Sequence, residues 1–293
     1  MRTSRAVLPL SLLIIALAAV AAGVGLFWGG PDSPETFTTV RGDVIELYGN
    51  GLYRHDSLFT GAAYKGQDAV TLLLGIPLLA ISLWLSRRGS WRGGLLLVGT
   101  LAYVLYIYVT MAFAAAFNEL FPVYVTLLSA SLFAFVTAFA SVNREALQAR
   151  MSADMPRRGP AVFMIASGVV TLAIWLMMVL EALNGDTAAT LKSSTTMVTH
   201  ALDIGVITPA AILAGILIWR RRPLGILVAM SLLVVEIMLT PLILAQTIFQ
   251  VSVGISFTTA EIVGPIVGFV SISLLAIWVM GIILRGVSDS TEA

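Results

Sequence analysis

The feature that most constrains this chain is a series of eight apolar runs, each about as long as a membrane crossing. They lie near residues 6–28, 68–86, 93–114, 121–141, 159–181, 197–219, 223–246 and 261–284. A hydrocarbon core about 30 Å thick takes about 20 helical residues at 1.5 Å each. Inside lipid, bare loops and open sheet edges would leave backbone polar groups without partners, so runs of this length are read as helices. The expected fold is all-α: a polytopic transmembrane helical bundle of about eight spans, forming one membrane domain over residues 1–293. Charged residues are 11% of the chain, against roughly a quarter in soluble domains, and leave no soluble domain to place.

The arginines give the expected orientation. Arg2 and Arg5 precede the first span, and Arg87, Arg88 and Arg92 follow the second. Arg144, Arg150, Arg157 and Arg158 follow the fourth, Arg220, Arg221 and Arg222 the sixth, and Arg285 the eighth. The alternate connections carry Asp32, Glu35, Asp43, Glu46, Glu119 and Asp186, with only Arg41, Arg54, Lys65 and Lys192 as basic residues. Arginine-rich loops stay on the cytoplasmic side, so both termini are expected in the cytoplasm and the protein in the cell membrane. The first run also reads as a signal peptide, with Arg2 and Arg5 as its basic start and Ala19-Val20-Ala21 resembling a cleavage site. It continues, however, to Phe27 and Trp28, which suit the interfacial end of a true span. Cleavage would leave seven spans.

Residues 29–66 are the longest external segment, rich in turn formers from Pro31 and Pro34 to Gly66. Leu47, Tyr48, Leu52, Tyr53, Leu58, Phe59 and Tyr64 make it too apolar for a disordered tail. It is expected to fold back as a cap over the bundle, the alternative being a partly ordered connector. The second span laid on the sixth aligns Asp68 with Asp203, Pro77 with Pro209, and Arg87-Arg88 with Arg220-Arg221. This suggests a four-plus-four parallel internal repeat.

Composition removes several function classes. The chain has no cysteine, so disulfides, thiolate metal sites and cysteine nucleophiles are excluded. A net charge of +1, with the arginines dispersed in short clusters, argues against nucleic-acid binding. There is no phosphate loop, GxSxG or HExxH, and no cofactor is expected.

An ionisable side chain within the bilayer costs about 2.5–3.5 kcal/mol on the insertion scale and so asks for a reason. Glu236, near the midplane, is the foremost substrate or proton site candidate. His200 and Asp203 share a helix face three residues apart, where the carboxylate could orient the imidazole. Asp68, at an outer span end, and Tyr106, on one face of span three with Tyr103 and near Trp84, complete the candidate set. His55, Asp56, His200 and Asp203 would form a zinc site only if the cap brought them together. Ala130, Ala134 and Ala138, and separately Gly264 and Gly268, present small-residue faces for close helix contact, internal or with a second copy or membrane partner.

These residues point first to a small permease or solute-binding membrane protein, taking a small molecule or ion in the outer half of the bundle. The alternatives are a membrane-embedded enzyme acting on a lipid or isoprenoid, with His200 and Asp203 as base and orienter, and an accessory or scaffolding subunit.

Overall fold

The computed structural model describes residues 4–30, 35–185 and 191–289; Arg2, Pro31, Asp32, Pro34 and Asp186 lie outside them. Among the described residues there are nine helices, of which eight are long and apolar enough to cross a membrane. They are α1 (Val7–Phe27), α2 (Leu58–Arg87), α3 (Trp91–Ala114), α4 (Phe121–Ala140), the short α5 (Arg144–Arg150), α6 (Arg158–Leu183), α7 (Val198–Trp219), α8 (Pro223–Ser252) and α9 (Thr259–Arg285). This is the architecture of a multi-pass membrane protein. Its two ends are called here the cap end and the arginine end.

Two helices are longer than the hydropathy pattern indicated. α2 begins at Leu58 rather than at residue 68, because Ser57 caps it by accepting from the Thr60 N–H at 3.2 Å. Its first turns hide Gly61, Ala62, Ala63, Gly66 and Gln67 against neighbouring helices, a face that Lys65 and Gln67 dilute in any hydropathy window. α8 runs on to Ser252. Each has 30 residues, or about 45 Å, which overshoots a 30 Å hydrocarbon core. The surplus of both lies at the cap end, where they cross closely. A Cβ at Gly66 would lie 2.5 Å from the Gln246 nitrogen, and the Gln250 amide donates to the Phe59 carbonyl at 3.2 Å.

The helices form two rings of four. In the first, α1 packs on α2 and α4, and α3 on α2 and α4; in the second, α6 packs on α7, α7 on α8, and α8 on α9. The rings meet through α3 against α8, α2 against α8, and α7 against α3. A twofold axis between α3 and α8 would relate these pairs, but unequally, since α2 meets α8 extensively and α7 meets α3 chiefly through Val198–Leu202.

The two halves also repeat in local detail. In α2, Thr71–Gly75 is a π-helical turn, and Pro77 is the second residue after it. In α7, Asp203–Ile207 is a π-helical turn followed in the same way by Pro209. Proline lacks an N–H and clashes with the carbonyl four residues back. The backbone answers by widening one turn, so that Ile76 N–H bonds Thr71 O and Thr208 N–H bonds Asp203 O. At the same constant spacing, Gly89 and Arg221 both adopt positive φ after their helices. Likewise Gly93 presses on Leu85 and Ser86 as Gly225 presses on Leu217 and Ile218. This register keeps the pairing of Pro77 with Pro209 and moves that of the aspartates by three residues: Asp203 corresponds to Thr71, and Asp68 corresponds to His200.

The small-residue faces take different roles. Ala130, Ala134 and Ala138 are buried on α4, where it packs along α1. Gly264 and Gly268 on α9 have no atom within 4 Å of an added Cβ. Trp84 is 51% exposed, with the Arg88 guanidinium 3.8 Å over its ring. It therefore faces outward near the arginine end and does not join Tyr103 and Tyr106.

The cap consists of residues 35–57. An antiparallel pair, β1 (Thr36–Thr38) and β2 (Val44–Glu46), leads into a tight turn at Gly51–Tyr53 that buries Leu52 and Tyr53 completely. Arg54 pairs with Glu119 beside α4. Ser57 N–H donates to Ser193 Oγ at 3.2 Å, and Arg41 donates to the carbonyls of Lys192 and Ser194. The cap thus folds back over the bundle and ties the loop before α7 to the first half.

Candidate functional site

Each half holds a polar position at the cap end of its π-bearing helix, and the two are built differently. In the first half, Asp68 lies three residues before the π turn of α2. The Tyr53 hydroxyl, lowered into the bundle by the cap, donates to Asp68 Oδ2 at 2.6 Å. Gly25 of α1 closes the other side, since a Cβ there would overlap Oδ2. Tyr64 packs on Tyr53 with ring centroids 5.3 Å apart, and Tyr108 and Tyr124 stand around the same carboxyl. Lys65 reaches the Leu26 carbonyl at 3.3 Å nearby. Asp68 is sealed, with only 6% of its surface exposed.

A buried acceptor that loses its donor costs about 1–3 kcal/mol. Tyr53→Phe is therefore expected to lower the melting temperature of the purified protein. An unchanged melting temperature would mean that the carboxyl does not depend on this bond.

In the second half, Asp203 opens the π turn of α7. Tyr106 of α3 approaches its Oδ2 at 3.4 Å, and the Trp175 indole of α6 also reaches it. His200 packs against Trp175 with ring centroids 4.3 Å apart and the planes tilted by 58°, and its Nε2 has no partner among the described residues. The structure thus differs from the expectation that Asp203 orients His200. The two share a face, but Tyr106 and Trp175 hold the carboxylate while the indole lies beside the imidazole. On α8, Glu236 has Oε2 shut off from the surface without a partner among the described residues, with Ser167 of α6 within reach of its carboxyl. Ser273 of α9 donates to the Glu236 carbonyl at 3.0 Å and lies 2.6 Å from Thr240, which donates to the Phe269 carbonyl. These bonds fix α9 to α8 beside Glu236.

The structure therefore groups Tyr106, Asp203 and His200 around Trp175, sets Glu236 two turns away along α6 at Ser167, and leaves Asp68 in the other half. Among the described residues no three His, Asp or Glu side chains come together as a metal site requires. His55 and Asp56 stay in the cap. They line a cavity of about 300 Å³ with Phe37, Leu47, Ala114, Ala116, Ser193 and Ser194. Asp56 accepts the Ala116 N–H at 2.9 Å through Oδ1, while Oδ2 is buried without a partner. Burial pushes its carboxyl up to about 7, against the opposing pull of the Ala116 bond.

Trp175 and Ser167 were not among the sequence candidates. Tyr53 was read there only as an apolar residue of the cap. Helical spacing places residues on faces of their own helix, but which side chain arrives from a neighbouring helix depends on packing. Comparison with protein-family models, curated proteins and solved structures gives no match for this chain. The chemistry available is that of carboxyl groups and one imidazole in a largely apolar bundle. They can exchange protons or receive a cationic or hydrogen-bond-donating group.

Proposed function

We propose that this protein is a small permease of the cell membrane, with the arginine end in the cytoplasm and the cap outside. Its solute site is formed by His200, Asp203 and Glu236, with Tyr106 and Trp175 as walls. The observation that carries this reading is the pair of π turns placed at the same position in two repeated halves, each beside a carboxyl in the bundle. Such turns occur often at functional sites, and repeated halves with broken helices are a common plan of transporters. Asp203 and Glu236 have no basic partner among the described residues. An unpaired carboxyl inside lipid becomes neutral by taking a proton or a cation, which suits a coupled step.

The test is uptake by proteoliposomes of a panel of radiolabelled small solutes under an inward proton gradient. The reading expects gradient-dependent accumulation of at least one solute, abolished by a protonophore. Glu236→Gln is expected to slow that uptake about tenfold or more while the helical content stays the same. Accumulation of none would overturn the permease reading, and unchanged uptake by Glu236→Gln would remove that residue from the mechanism.

A further inference from the structure

The two rings of helices close differently. In the first, α1 is buried along its whole length, from Val7 through Ile14 and Ala18 to Gly25, where it meets Ala130, Ala134 and Ala138 of α4. In the second, the corresponding pair is α6 and α9. The buried residues of α6 all lie between Pro160 and Gly168, and those of α9 all lie between Ser273 and Ile283. These are the arginine-end portions, and there the helices touch, with Gly159 against the Trp278 ring. Toward the cap end neither helix has a fully buried residue: Met177 and Leu180 on α6 are 58% and 57% exposed, and Val267 on α9 is 57% exposed. The ring is open between α6 and α9 over that stretch, and α7 and α8 stand behind the opening. His200 and Glu236 are accordingly half-buried, while Asp203 behind them is as buried as Asp68 in the closed ring, each 6% exposed.

We infer that this cleft admits a single-chain amphiphile with an ammonium head, the head entering among Glu236, Asp203 and His200 and the chain lying in the cap-side leaflet. The inference rests on the assignment of those residues as the solute site and names its substrate class. Three features select this occupant. The opening faces the apolar surface of the bundle, so what enters comes from lipid. It runs along α9 from Thr259 to Ile272, about 21 Å. That suits one leaflet but leaves half of a spanning neighbour helix uncovered. Behind it stand two carboxyls, those of Asp203 and Glu236, and two polar atoms without a partner among the described residues, Glu236 Oε2 and His200 Nε2. The described Lys and Arg side chains of this half lie at the arginine end, except Lys192, whose ammonium sits 5.1 Å over the Phe59 ring. Gly264 and Gly268, with nothing beside them, let a methylene chain lie against the α9 backbone.

The test uses dodecylamine, titrated against tryptophan emission, with the protein in zwitterionic-lipid nanodiscs, because the head is to lie beside Trp175. Saturable quenching is expected that disappears in Trp175→Phe and is roughly tenfold weaker with dodecanoic acid, which has the same chain length and the opposite charge. Gly268→Leu adds a side chain where the structure has free space, so it should fold normally and still weaken amine binding to a similar degree. Equal quenching by the two heads, or full binding by Gly268→Leu, would overturn the inference. So would a Gly268→Leu protein that is monomeric where the parent is dimeric, which would make the cleft a helix interface. The outcomes also separate this inference from the permease reading. Amine binding without uptake of any solute overturns the permease and leaves the cleft. Unimpaired uptake of a water-soluble solute by Gly268→Leu overturns the cleft and leaves the permease.

Discussion

Gly99→Leu is expected to destabilise the purified protein by about 3 kcal/mol, the upper end of the range for over-packed interiors. Gly99 lies on α3 where it crosses α8 between the two halves. An added Cβ would stand 2.4 Å from the Met230 carbonyl oxygen and 2.5 Å from Val234 Cγ2. A flexible side chain could yield to that clash, but the nearer obstacle is a helix backbone, which moves only if the halves part. Replacing glycine in a helix returns at most about 1 kcal/mol through better propensity, so the clash wins. The measurement is thermal or chemical unfolding in one detergent, with Gly264→Leu as control. Gly264 has no atom within 4 Å of an added Cβ, so it should keep or slightly raise the melting temperature. Equal melting of Gly99→Leu and parent would sink the view that the halves are held by a close backbone crossing.

That crossing illustrates what the sequence could and could not disclose. Eight spans were legible because lipid forces each apolar run into a helix of fixed length, and few other folds compete. The extra turns of α2 and α8 were not. Helix outside the hydrocarbon is stabilised by a cap at Ser57 and by packing of Gly66 on Ala245 and Gln246, and neither raises hydropathy. The repeat was legible in outline because Pro77 and Pro209 recur. Its register was misread, since two aspartates look equivalent in a linear sequence. Only the π turns show that Asp68 stands where His200 stands.

The site followed the same division. Depth along a span singled out Glu236, because burial of a carboxyl in lipid is costly wherever the neighbours are, and helical spacing singled out Asp203 beside His200. The partners were not legible. Tyr53 reaches Asp68 from fifteen residues earlier, and Trp175 reaches His200 from another helix. The aromatic residues of the external segment left a folded cap and a partly ordered connector both open, because apolar content alone does not say against what they pack. Asp56, held there without a full set of partners, was seen only as a remote zinc ligand.

Asp56 should make the docking of the cap depend on pH. Its carboxyl is 3% exposed and pushed up to about 7 from an ordinary value of 3.8. An acid whose folded value is raised favours the docked state in its protonated form. The contribution of docking is therefore greatest below pH 4 and falls as pH rises. It levels off above pH 7, where the undocked cap has its carboxylate in water and the docked one does not. A rise of that size corresponds to about 4 kcal/mol between the two plateaus. His55 is the other titratable side chain lining the cavity, and the phenols of Tyr64 and Tyr124 are the others near Asp56. Hydrogen exchange of the amides from Gly49 to Ser57, corrected for intrinsic rates, should accordingly show protection that weakens between pH 5 and pH 8. Asp56→Asn keeps an acceptor for the Ala116 N–H and removes the titration, so its protection should be flat over that range. His55→Gln should leave the slope in place. A slope that survives in Asp56→Asn and vanishes in His55→Gln would transfer the pH dependence to the histidine.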